Sequence, residues 1–199
     1  MIYVRGAGSE VVSNLRRWVP VQPIERAEPM PLKGERYLFC VGRILPKKIT
    51  EQTDEEIAET FLVNSVRVIQ ACERLLLGNP QARICVVGSD SGYKWSYDGA
   101  YAAAKAALHR FIECKRLKYP NQQLVGIAPS CIGDSTSIRR RGVDGQKALA
   151  LRLREHPKGR WLTSWEVAAM VHHLLCVDRG YTSGVVIRMN GGEHCGDKW

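Results

Sequence analysis

Short apolar runs alternate with longer amphipathic stretches along the chain. Residues 2–5 (Ile-Tyr-Val-Arg) read as a first strand that breaks at Gly6-Ala7-Gly8-Ser9, and 10–18 as a first helix. Residues 19–24 supply a second strand, which Pro20 and Pro23 restrict to a sheet edge. The proline-rich, polar stretch 25–36 reads as a loop, and 37–41 as a strand. A long helix starts at Thr53, where Thr53-x-x-Glu56 has capping-box spacing, and stops at Gly78 before Pro80. Strands follow at 83–88, 123–128 and 184–189. Between them lie helices at 98–118, ending before Pro120, and from Thr163 to about Val177. Strands alternating with helices predict an α/β chain with a doubly wound, mostly parallel sheet flanked by helices, Rossmann-like, in one domain spanning 1–199. The stretch 133–160 is the least regular: Gly-Asp-Ser-Thr-Ser-Ile and an arginine run, then a basic, leucine-containing part to about Arg154.

Composition adds bounds. A length of 199 residues suffices for one sizeable core, and 25% charged with 45% hydrophobic residues is ordinary for a soluble globule. No apolar run approaches the ~18 residues of a membrane span, so no membrane partner is expected. The start, Met1 to Glu10, lacks a signal-peptide pattern. Cys40, Cys72, Cys85, Cys114, Cys131, Cys176 and Cys195 form no Cys-x-x-Cys pair, which argues against a disulfide framework and for a reducing cytoplasm. The formal net charge is +9, which favours anionic partners in general. The basic residues are dispersed apart from Arg139–Arg141 and the Arg152/Arg154 pair, and no nucleic-acid motif accompanies them; a solvated surface is the preferred reading over a nucleic-acid site. His172-His173 has no ligand partner one helical turn on, and His194 with Cys195 lacks a second pair, so no metal is expected. Trp161 and Trp165 read as packing residues.

Tyr101 and Lys105 carry the most chemistry. At spacing i, i+4 in an alanine-rich helix they share one face, one turn apart. A free phenol titrates near ~10, and a lysine ammonium one turn away is expected to draw that value down toward the working range of a general acid/base. Ser89 lies twelve residues before Tyr101, at the end of the apolar run Arg83–Gly88, where a hydroxyl can hydrogen-bond an oxygen whose charge changes during reaction. Such groups gather at the carboxyl ends of strands in open α/β sheets.

From about Leu38 to Gly192 the chain resembles the short-chain dehydrogenase/reductase family. The landmarks occur in the family's order: Tyr37–Gly42 where the family has a strand ending in Asn-Asn-Ala-Gly; Asn64 in the helix of the family's asparagine; Val86–Gly92 for the Ser-Ser-x-x-Gly strand end, with Ser89 in the catalytic position; Tyr101–Lys105 for Tyr-x-x-x-Lys; Leu124–Ser130 for the strand ending in Pro-Gly; Ser183–Gly192 for the last strand and its Gly-Gly. The resemblance implies an NAD(P)-dependent oxidoreductase interconverting a carbonyl and an alcohol of a small-molecule substrate. Tyr101 would be the general acid/base, Lys105 would lower its pKa and bind the nicotinamide ribose, Ser89 would hold the substrate oxygen, and Asn64 would anchor a water in the proton relay. Cofactor contacts would come from Arg5, Gly6, Ser9, Gly42, Lys105, Pro129 and Thr136. Residues 133–160 would form the substrate lid, and the helices of Asn64 and Tyr101 would pair across a two-fold axis into a homodimer or homotetramer. Plainer readings stand beside these roles: Asn64 satisfying backbone groups within its helix, Ser89 as a turn residue with Ser91 competing for its part, and Tyr101 as packing.

Departures concentrate in residues 1–36, which read as a reduced cofactor half. The family usually has Thr-Gly-x-x-x-Gly-x-Gly after its first strand; here Gly6 fits the first glycine, while Glu10 and Val12 fall where the others stand. Both side chains are expected to crowd the approach of a pyrophosphate, and Glu10 to repel it, with Arg5 and Ser9 compensating in part. Gly8 and Gly42 are 34 positions apart, so at least one strand–helix unit is expected to be missing or collapsed into 25–36. Cys40-Val41-Gly42 replaces Asn-Asn-Ala-Gly, and Ser130 replaces the glycine after Pro129. Glu25 and Arg26 leave NAD against NADP open, with a lean to NADP from the net charge, Arg5 and Arg26. The eroded half supports a second reading, a non-catalytic binding or scaffold protein on the same fold.

Overall fold

The structure, a computed structural model, describes residues 1–94, 96–139 and 142–193. Six strands, β1 (Ile2–Arg5), β2 (Val21–Pro23), β3 (Arg36–Phe39), β4 (Arg83–Val87), β5 (Gln123–Pro129) and β6 (Val185–Met189), form one sheet in the order β2-β1-β3-β4-β5-β6. Every pairing is parallel. The register Arg5↔Phe39, Phe39↔Val86, Val87↔Ile127 and Pro129↔Met189 brings all the carboxyl ends to one edge.

Side chains one apart along a strand face opposite ways, and both faces are apolar. Ile2, Val4, Leu38, Cys85, Val87, Val125 and Ile127 pack on α1 (Glu10–Leu15) and α7 (Ser164–His172). Tyr37, Phe39, Ile84, Val86 and Leu124 pack on α3 (Arg67–Gly78) and α4 (Gly99–Cys114). The sheet is therefore doubly wound, as the alternation predicts. β5 is buried along its whole length.

Residues 24–35, which carry the chain from β2 past β1 to β3, contain no helix or strand. They are nonetheless pinned. The Tyr37 hydroxyl donates to the Gly34 carbonyl at 2.6 Å, Arg74 donates to the Met30 carbonyl at 2.8 Å, and Met30 is fully buried. A packed loop stands where a helical layer would otherwise cover this end of the sheet.

Three expectations need correction. The helix expected over 53–78 is α2 (Asp54–Phe61) and α3 joined by a π-helical turn at Leu62–Val66. The cause is side-chain competition for helix carbonyls: Asn64 Nδ2 donates to the Thr60 carbonyl at 2.8 Å and the Ser65 hydroxyl to that of Phe61 at 2.9 Å. The helix expected to reach 118 ends at Cys114, because Gln122 Oε1 accepts from the Lys118 and Tyr119 amides and fastens a turn there. The stretch 133–160 is more regular than expected. It holds α5 (Thr136–Arg139) and α6 (Val143–Arg154), built from good helix formers with Leu149 buried; Arg140 and Arg141 lie outside the described residues.

Candidate active site

The strand order reverses between β1 and β3: the chain passes from β1 outward to β2, then returns to the other side of β1. A crevice opens at the carboxyl ends of the strands at such a switch point. Its walls are the turn Gly6–Ser9 after β1, Cys40–Gly42 after β3, Ser89 after β4 and Ser130 after β5.

The structure brings Ser89, Tyr101 and Lys105 together at this edge. Asp98 caps α4 by accepting from the Tyr101 amide at 3.0 Å, and it also accepts from the Leu45 amide at 2.8 Å, tying the 45–52 segment to the helix start. The Tyr101 phenol lies within electrostatic reach of the Ser89 hydroxyl, which in turn accepts from the Ser91 amide at 3.2 Å. Lys105 is buried one turn on, its Nζ donating to the Val41 carbonyl at 3.1 Å and the Val87 carbonyl at 3.4 Å.

The electrostatics differ from the sequence expectation. Burial pushes the Tyr101 phenol up to about 12, against a downward pull from Ser89. Burial also draws Lys105 down to about 8. The Lys105 ammonium is turned toward two main-chain carbonyls and stands 5.7 Å from the Tyr101 ring centroid. At neutral pH the phenol is protonated and poised to give a proton.

Asn64 spends its amide on backbone. Oδ1 accepts from the Arg43 amide at 3.0 Å, and Nδ2 donates to the Arg43 and Thr60 carbonyls at 2.8 Å each. It thereby fixes the loop after β3, with Gly42 beside it.

The turn after β1 is shaped by the protein itself. Gly6 has φ +94°, and an added Cβ would stand 2.1 Å from the Cys40 carbonyl oxygen, so only glycine fits. Ser9 caps α1, accepting from the Val12 amide at 3.3 Å, and its hydroxyl lies 3.2 Å from Cys40 Sγ. The Arg5 guanidinium reaches away to the Glu28 carbonyl. Pro129 is buried at the end of β5. The crowding expected of Val12 is overturned, since its side chain points into the core, fully buried. Glu10 stays at the turn and is engaged with the opposite wall, accepting from the Thr136 amide at 3.0 Å, from the Thr136 hydroxyl and from Arg139. Burial disfavours the Glu10 carboxylate, but these partners outweigh it and hold the group below its ordinary pKa. A dinucleotide fits the donor set in outline: around Gly8 an added Cβ would meet nothing within 4 Å, so backbone there is open to a ligand, while Lys105 and the Ser89–Tyr101 pair lie along the same edge. Among the described residues no group of three or more His, Cys, Asp or Glu side chains could hold a metal ion; His194 and Cys195 lie outside them.

A search of protein-family models matches residues 38–194 to one described as enoyl-(acyl carrier protein) reductase. The chain belongs to the short-chain dehydrogenase/reductase family of oxidoreductases. Among curated relatives, the 3-oxoacyl-[acyl-carrier-protein] reductase MabA of Mycobacterium bovis is 29% identical over 158 residues, 75% of this chain and 60% of that protein. The chain thus spans about 60% of the length of the curated relatives it matches. Solved structures share the fold at low identity. An oxidoreductase of the family from Burkholderia thailandensis superposes with TM-score 0.81 at 15% identity, covering 98% of this chain and 93% of that one. A variant of actinorhodin polyketide ketoreductase with NADPH gives TM-score 0.79 at 14% identity, covering 98% and 97%. No helix among the described residues is long and apolar enough to cross a membrane.

Within this family member, sequence reasoning missed His109. It lies four residues beyond Lys105, so Tyr101, Lys105 and His109 form a single stripe on α4, and that spacing was the available signal. Its Nε2 accepts from the Ser89 amide at 3.3 Å, and the ring stacks on Tyr93 with centroids 4.8 Å apart. A Cβ on Gly92 would stand 2.7 Å from the imidazole, which is why Ser-x-x-Gly needs its glycine here. Burial first, and Lys105 second, lower the His109 pKa to about 4, against a pull from Asp90. The folded chain therefore binds fewer protons than the unfolded one between about pH 6.5 and pH 4. Stability from neutral His109 is full above the unfolded value and is lost as pH falls through this window, by about 2–3 kcal/mol. Urea unfolding across this range is expected to show that loss in the native chain and a flatter profile in His109→Leu; equal slopes would refute it.

Proposed function

We propose that the chain is an NAD(P)-dependent oxidoreductase interconverting a carbonyl and an alcohol. The observation that carries this reading is the placing of Ser89 beside the buried Tyr101 phenol, with Lys105 buried one turn along the same helix, at the carboxyl edge of the sheet. In the reductive direction the protonated Tyr101 gives its proton to the oxygen that becomes negative, and the Ser89 hydroxyl bonds the same oxygen. When bound, a nicotinamide supplies the hydride to the carbonyl carbon. Lys105, held by Val41 and Val87, keeps positive charge near the phenol as its proton leaves and is the group placed for the nicotinamide ribose. Asn64, its side-chain amide spent on the Arg43 and Thr60 backbone, serves the site by holding the loop after β3 in register with these groups. Gly6, Ser9, Gly42, Pro129 and Thr136 line the cofactor crevice. Arg5 is spent on Glu28, so the preference for NADP over NAD rests on the net charge of +9 and Arg26. The segment 133–160 acts as the lid, and the helices that carry Asn64 and Tyr101 pair across a two-fold axis into a homodimer or homotetramer.

A 3-oxoacyl thioester is the substrate class to try first, since the curated relatives carry that activity in their names. The test is consumption of NADPH and of NADH with a short 3-oxoacyl thioester, beside direct titration of each nucleotide. Turnover with NADPH preferred is expected; absence of binding by either nucleotide overturns the reading. The second reading, a non-catalytic protein on the same fold, draws on one observation: a carboxylate, Glu10, stands at the turn where phosphate would approach.

A further inference from the structure

Glu10 opens α1 directly after the β1 turn, and one of its oxygens gathers three donors from a segment more than a hundred residues away. Oε1 accepts from the Thr136 amide at 3.0 Å, from the Thr136 hydroxyl and from the Arg139 guanidinium. One turn along α1, Asn14 Nδ2 donates to the Ser164 hydroxyl oxygen at 2.9 Å, and the Ser164 amide donates to Asp134 Oδ1 at 2.8 Å. Residues 134–139 are thus strapped to α1 at two points spaced i, i+4.

The two ties differ in chemistry. The Asn14–Ser164–Asp134 tie is a chain of hydrogen bonds between side chains and backbone of the scaffold. The Glu10 tie places an amide, a hydroxyl and a guanidinium on one anionic oxygen, and each of these would serve a phosphate oxygen equally well. The tie also lies beside the crevice at the strand switch point, where a dinucleotide's phosphates approach the first turn. Two anions cannot hold the same donors, and each disfavours the other by like charge.

We infer that Glu10 is a built-in competitor for the phosphates of a dinucleotide: cofactor binding moves Thr136 and Arg139 from Glu10 to phosphate and so undoes one of the two ties of 134–139 to α1. This rests on the dinucleotide reading of the crevice. It recasts the departure at position 10. The side chain is an internal anion that sets cofactor affinity and couples it to the start of the 133–160 segment. Because Glu10 and Arg139 are both partly solvent-exposed, the effect is moderate.

The experiment titrates NADPH and, separately, inorganic pyrophosphate into the native chain and into E10Q, E10A, R139Q and E10Q/R139Q, with hydrogen exchange of 134–139 followed in the free proteins. Both Glu10 variants are expected to bind both probes about tenfold more tightly. The gain from E10Q should shrink to about twofold or less when Arg139 is also replaced, since the pair acts as a unit. Exchange at 134–139 should quicken in E10Q. Native-like or weaker pyrophosphate binding by both Glu10 variants overturns the inference. Tighter pyrophosphate binding without NADPH binding by any variant leaves the competitor standing and removes the dinucleotide reading. Equal NADPH binding by native chain and E10Q removes the competitor and leaves that reading intact.

Discussion

Tyr101→Phe is expected to lower turnover about a thousandfold while NADPH affinity is unchanged. The phenyl ring fills the same space, since the Tyr101 ring is buried. Removing the hydroxyl from a ring that keeps its packing costs about 1 kcal/mol of stability or less, so the variant folds. What it loses is the proton. With the phenol held near 12 by burial, no neighbouring group at the edge replaces it: Lys105 is committed to the Val41 and Val87 carbonyls. Steady-state kinetics with a 3-oxoacyl thioester, beside fluorescence titration of NADPH, measures both quantities. Turnover within a few-fold of native would mean that another group delivers the proton.

Gly6→Ala has the largest expected effect on stability, a loss of about 3–5 kcal/mol. The residue sits at φ +94°, and the added methyl would stand 2.1 Å from the Cys40 oxygen and 2.6 Å from its carbonyl carbon. Those atoms cannot yield by a rotamer change, because the Cys40 amide is bonded to the Arg5 carbonyl at 2.9 Å and extends the β1–β3 ladder. The strain falls on the turn that lines the crevice, so dinucleotide binding should fall with stability. Gly8→Ala is the control. Its φ is ordinary and nothing lies within 4 Å of an added Cβ, so a change under about 1 kcal/mol is expected. Urea midpoints for the two variants check the contrast, and equal midpoints would contradict it.

Much of the fold is legible in the sequence because strand faces are encoded two residues at a time. Val4 and Leu38 point one way, Tyr37 and Phe39 the other, and the apolar character of both sets announces helices on both sides. The caps at Thr53 and Thr163 are equally local and appear as the Thr-x-x-Glu spacing suggests. The π-turn at Leu62–Val66 was not legible, because residue types alone do not say that Asn64 and Ser65 turn back onto the Thr60 and Phe61 carbonyls. The meeting of Ser89, Tyr101 and Lys105 follows from a strand end and a helical spacing, both local signals. Their electrostatics did not follow. Spacing alone cannot say that Lys105 turns to two carbonyls while burial lifts the phenol. Glu10 shows the same limit: read in one dimension it is an obstacle to phosphate, yet its partners Thr136 and Arg139 lie far along the chain and make it a strap.

The central claim, hydride transfer at this edge with Tyr101 supplying the proton, is tested most directly by isotope transfer. NADPH deuterated at the transferred position would be incubated with a short 3-oxoacyl thioester and the native chain, and with Tyr101→Phe. Deuterium at the carbinol carbon of the product with the native chain, and at most trace label with Tyr101→Phe, is the predicted result. Unlabelled or absent product from a native chain that binds NADPH would contradict it.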